Sequence, residues 1–149
     1  MTARLNGRTT PAELTKALAA LGSLPQTYGL PARVAELIHL RVSQINGCAW
    51  CLDYGLQNAE AAKITMAEIA QLPGWRELES LSEAERAALD LAEHMTRTGD
   101  TSDPVPDPIW DAAAEEFSED QLALLVTWIA TVNLYNRINV TIRRVPGTW

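Results

Sequence analysis

The chain has 149 residues, 47% of them hydrophobic, with a net charge of −7 and a pI near 4.8. That is enough apolar material for one proper core and predicts a single domain spanning residues 1–149. The acidic balance, with no run of Lys or Arg to offset it, excludes a phosphate-backbone binder, so no nucleic-acid partner is expected.

Taken in order, MTARLNGRTTP lacks the apolar core of a signal peptide, which leads to the expectation of a reducing cytoplasm. Thr10-Pro11 reads as an N-cap followed by proline at the first helical position, opening a short helix over about 12–21. Residues 22–29 are expected to form a loop. Pro31 then starts a helix in which Val34, Leu37, Ile38, Leu40, Val42 and Ile45 form a wide apolar face, so it should be largely buried.

Asn46-Gly47 breaks that helix. The next runs from the cysteines to about Lys63, and the two form an antiparallel hairpin. Three capping boxes follow: Thr65 with Glu68, Ser82 with Glu85, and Ser118 with Gln121. They start a short helix ended by Pro73-Gly74, a helix closed by Gly99, and a last helix over about 119–144. Asp107-Pro108 caps a further short helix ending near Phe117.

No segment alternates with period two, so the fold class is all-α, a bundle of about six to seven helices. The uncharged stretch 121–136 is too short for a membrane span and contains Thr127, Thr131 and Asn133, so no membrane partner is expected. The last helix is apolar nearly all round, which predicts a homo-oligomer contact, with Asn133, Asn136 and Arg137 as polar anchors. Trp50, Trp110, Trp128 and Tyr135 read as packing or subunit-contact residues, and His94 as a surface residue.

Both cysteines lie in Cys48-Ala49-Trp50-Cys51, after the Asn46-Gly47 turn and before an Ala-rich segment. This places the pair at the start of a helix, where unpaired N–H groups and the macrodipole favour an anion such as a thiolate. The pair should lie within disulfide reach and form a reversible bond. Zinc would need thiolates from two subunits, since the only histidines are His39 and His94. Inert packing of two small hydrophobes is the other plain alternative.

The spacing Glu36-x11-Cys48-x2-Cys51 within ELIHLRVSQINGCAWCLD resembles the AhpD-like alkylhydroperoxidases of the carboxymuconolactone decarboxylase superfamily. The RLN start, ERAALDLAE, VPD-x-x-W and Asn133-x-x-Asn136-Arg137 extend the resemblance along nearly the whole chain. It implies an AhpD-like helical bundle that assembles as a trimer or hexamer and reduces organic hydroperoxides. Cys51 would be the attacking thiolate, Cys48 the resolving thiol and Glu36 the acidic member of a proton relay. No bound cofactor is implied beyond the redox-active disulfide. The reductant would be a dithiol protein or a lipoamide-type donor.

Gly55 stands where the family has a histidine four residues after the second cysteine. That replacement predicts a gap beside Cys51 and Glu36, with Gly55 and Trp50 as pocket residues. Glu36 should lie opposite Gly55 across the hairpin. His39, three residues beyond Glu36, would lie level with the turn from Cys51 to Tyr54 and could accept the Cys51 proton in place of the missing imidazole. Taken alone, the expectation for His39 is a solvent-facing side chain. The alternative function is a family member without peroxidase chemistry, acting as a disulfide reductase or an oligomeric ligand-binding scaffold.

Overall fold

The computed structural model describes residues 2–5 and 11–148. Among them every regular element is helical: α1 (Ala12–Gly22), α2 (Leu24–Tyr28), α3 (Ala32–Asn46), α4 (Ala49–Ala59), α5 (Met66–Gln71), a 3-10 turn (Leu72–Glu77), α6 (Glu83–Thr96), α7 (Asp107–Glu116) and α8 (Glu119–Ile142). The all-α expectation is borne out. One helix lies where a loop was expected: α2 starts with Leu24-Pro25, and five residues are too few to show a helical period. The Thr10 cap lies outside the described residues.

All three predicted capping boxes form, each with both reciprocal bonds. The cysteine helix stops at Ala59 rather than near Lys63, because Lys63 takes a left-handed φ of 57° and the Ile64 N–H donates to the Ala59 carbonyl. No helix among the described residues is long and apolar enough to cross a membrane.

The centre of the molecule is α3, in which ten consecutive residues, Val34 to Ser43, are buried. One side packs on α6 and α8 through Val34, Ile38, Val42, Leu91, Leu125 and Ile129. The other side packs Leu37 and Leu40 against Leu72, Trp75 and Leu89. A helix buried all round must also partner its polar side chains. Arg41 donates to Glu93 at 2.6 Å, Ser43 accepts from Asn136 at 3.0 Å, and Glu36 meets His39 at 2.8 Å. The expected anchors form a chain: Asn46 donates to Asn133 and Asn136, and Arg137 donates to Asn133. Trp128 is buried and donates to the Ala35 carbonyl, whereas Trp110 is exposed.

Candidate functional site

The site lies where α4 turns back along α3. Gly47, with φ of 66°, closes α3, a conformation glycine takes without a Cβ penalty. Cys48 then serves as the N-cap of α4, its Sγ accepting from the Cys51 N–H at 3.3 Å. Cys48 and Cys51 are joined as a disulfide, with Cα atoms 5.3 Å apart. Both are almost wholly buried.

A cavity of about 1050 Å³ reaches Cys51 but not Cys48. Its wall near the sulfur includes Glu36, His39, Trp50, Tyr54 and Asn139. Asn139, which the sequence reading did not single out, donates from Nδ2 to Cys51 Sγ at 3.4 Å. It lies 88 positions away on α8, so no local pattern marks it.

His39 is buried at 7% exposure, which corrects the expectation of a solvent-facing side chain. Its Nδ1 lies 2.8 Å from Glu36 Oε1, and its ring meets Tyr54 edge-on with centroids 6.0 Å apart. Glu36 is also buried. The hairpin does set it opposite Gly55: a Cβ added there would fall 2.8 Å from Glu36 Oε1, 2.7 Å from Leu40 Cδ2 and 3.4 Å from His39 Nδ1.

The gap predicted at Gly55 is therefore absent, and Gly55 is not a pocket residue. Without a side chain at that position the two helices come close, and the Glu36–His39 pair occupies the space. Trp50 does line the cavity. Its ring stacks on Tyr54 with centroids 5.6 Å apart, and its Nε1 donates to the Thr148 carbonyl at 2.8 Å. The segment after α8 thus crosses the start of α4, where the Gly147 N–H also donates to Asp53 at 2.7 Å.

Two electrostatic features frame the site. The Arg144 guanidinium lies 3.8 Å from the Trp50 ring centroid, and burial pushes its pKa down. Burial and the nearby Tyr54 push the Tyr135 hydroxyl up. Among the described residues no group of three or more His, Cys, Asp or Glu side chains is placed to hold a metal ion.

The sequence profile of the carboxymuconolactone decarboxylase family matches residues 10–94, which include the whole hairpin and its cysteines. The chain belongs to the carboxymuconolactone decarboxylase family. It is similar to the uncharacterized protein YdfG of Bacillus subtilis (strain 168), 40% identical over 105 residues and 70% of either chain. It is also similar to a protein of unknown function from Agrobacterium tumefaciens that is proposed to be the antioxidant defence protein AhpD. That crystal structure aligns with a TM-score of 0.90 and 30% identity over 99% of this chain and 100% of the other. The debrominase Bmp8 shares the fold, with a TM-score of 0.78 and 20% identity over 91% of this chain and 72% of its own. This AhpD-like member of the decarboxylase family, with its CxxC pair, is consistent with an antioxidant role.

Proposed function

We propose that the chain reduces organic hydroperoxides through Cys51 and Cys48, with Glu36 and His39 handling protons. The observation that carries this reading is the cavity that meets Cys51 and the Glu36–His39 pair while leaving Cys48 behind. In the reduced protein the Cys51 thiolate attacks the terminal oxygen of R–O–OH. The O–O bond breaks, Cys51 becomes the sulfenic acid, and the RO⁻ leaving group takes a proton from the His39–Glu36 pair to give ROH. Cys48 then attacks the Cys51 sulfur, releasing water and forming the disulfide.

A dithiol donor restores both thiols by exchange and leaves as its own disulfide, so one hydroperoxide consumes one dithiol. Such a donor implies a reducing compartment, in keeping with a cytoplasmic protein. Asn139 hydrogen-bonds the sulfur on which charge resides, which favours the thiolate. His39 replaces, from across the hairpin, the imidazole that the family carries where this chain has Gly55. Leu134 and Val140, exposed on α8, are read as a contact with further copies of the chain. Sedimentation giving only a species near 16 kDa would exclude that contact.

The test is a Cys48→Ser protein treated with tert-butyl hydroperoxide. A sulfenic acid trapped on Cys51 by a dimedone adduct is the expected result. An unmodified Cys51 under conditions that oxidise free thiols in solution would overturn the reading.

A further inference from the structure

The cavity extends well beyond what the sulfur chemistry uses. From Cys51 it runs under α1, where Leu14, Leu18 and Ala19 face Tyr135, Ile138 and Ile142 of α8. Both sets recur at helical spacing, so each is one face of its helix. Yet α1 has no buried residue at all, and Leu14 is 49% exposed. An isolated helix of eleven residues is marginal in water, and helices in proteins draw their stability mainly from a buried apolar face. Here that face has a void beneath it.

The roof is tied down at its edges. The Tyr135 hydroxyl donates to the Leu18 carbonyl, while Arg4 donates from its backbone N–H to the Ile142 carbonyl at 2.8 Å and from its side chain to the Thr141 carbonyl at 3.1 Å. At about 1050 Å³ the space is at the upper end of the range for organic-ligand pockets, roughly 300–1,000 Å³. A hydrogen peroxide molecule has no use for such a wall. Among the described residues that line the cavity, Arg144 is the one arginine or lysine, and no carboxylate of a described residue pairs with it. It lies against Trp50, the residue before Cys51.

We infer that this cavity binds an amphipathic organic molecule, its apolar chain between α1 and α8 and its anionic group at Arg144. Resting on the peroxidase reading for the reaction, the substrate class becomes a hydroperoxide carried on an apolar chain with an acidic group. The chain fills the void beneath the apolar face of α1, so α1 should be further ordered by ligand. A charge-assisted bond from a guanidinium to a carboxylate at the edge of an apolar cavity adds selectivity for acids over alcohols.

The test uses the disulfide form, which cannot reduce a peroxide, so binding and catalysis are read separately. Decanoate and decan-1-ol are titrated by calorimetry, and hydrogen exchange of the α1 amides is followed alongside. Decanoate should bind and slow exchange in α1. Arg144→Gln should weaken decanoate roughly fivefold or more and leave decan-1-ol unchanged. Ala19→Trp, which projects a ring into the void, should abolish binding of both. Failure of decanoate to bind, or binding indifferent to both substitutions, would overturn the inference. So would α1 protection that rises with protein concentration and ignores decanoate, since a second copy would then be the cover. Decanoate binding by a protein inert to every hydroperoxide would instead overturn the peroxidase reading and keep the ligand class.

Discussion

Replacing Gly55 by alanine separates two accounts of this position that predict opposite signs. In an unobstructed helix the change stabilises by about 1 kcal/mol, because glycine loses more backbone freedom on folding. At Gly55 the new Cβ would fall 2.7 Å from Leu40 Cδ2 and 2.8 Å from Glu36 Oε1. Leu40 is fully buried, so its side chain gives way only by repacking its neighbours, and the Glu36 carboxylate yields only by loosening its bond to His39. Overpacking of this kind costs about 1–3 kcal/mol, so after the helix gain the net loss is about 1 kcal/mol. Urea unfolding of the disulfide form should show a midpoint lowered by roughly 0.5 M at unchanged slope. A raised midpoint would refute the close approach of the two helices. Gly55→His, which supplies the histidine that the AhpD resemblance implies at this position, should lower the proposed hydroperoxide rate by displacing the Glu36–His39 pair, and a faster enzyme would contradict the role proposed for His39.

Other substitutions probe the frame around the site. Glu93 accepts from Arg41, Trp75 and Arg76; burial pushes its carboxyl up, and these bonds more than offset it, leaving it below its usual value. Glu93→Leu leaves the buried Arg41 without its carboxylate, with only a long bond to Gln44, and should cost about 3–5 kcal/mol in urea unfolding. Asn139→Leu keeps the volume near Cys51 but removes the donor to its sulfur, and should slow Cys51 oxidation in single-turnover assays while leaving the fold intact. Hydrogen bonds from Arg33 and the Thr65 backbone lower the Glu68 carboxyl to about 2. Since this is below the unfolded value, the linked stability is complete above the ordinary carboxylate range and is lost as pH falls towards about 2. Unfolding midpoints measured down that range should therefore drop less steeply in Glu68→Gln than in the parent.

How far the sequence could be read follows from the range of each signal. Capping boxes, the Asn46-Gly47 break and the CxxC spacing are local, and all appear where local chemistry puts them. The opposition of Glu36 and Gly55 was legible too, since it needs only a hairpin and a turn centre. What happens at that opposition was not. Subtracting an imidazole on paper leaves a hole, whereas in the folded chain α3 and α4 approach until Glu36, His39 and Leu40 fill it. The burial of His39 follows from the same approach, and from α3 being covered on every side. Asn139 reaches Cys51 only through the packing of α8 on α4, and the void under α1 exists only between elements far apart in sequence. Neither leaves a pattern in its own segment.

If the proposed chemistry holds, one hydroperoxide takes two electrons from the Cys48–Cys51 dithiol. Mixing the fully reduced protein with one equivalent of cumene hydroperoxide, in the absence of any reductant, tests it most directly. The expected result is the loss of two thiols and two mass units per chain, matched by one cumyl alcohol, with the same loss absent in Cys51→Ser. Thiols that persist while the hydroperoxide remains unchanged would contradict it.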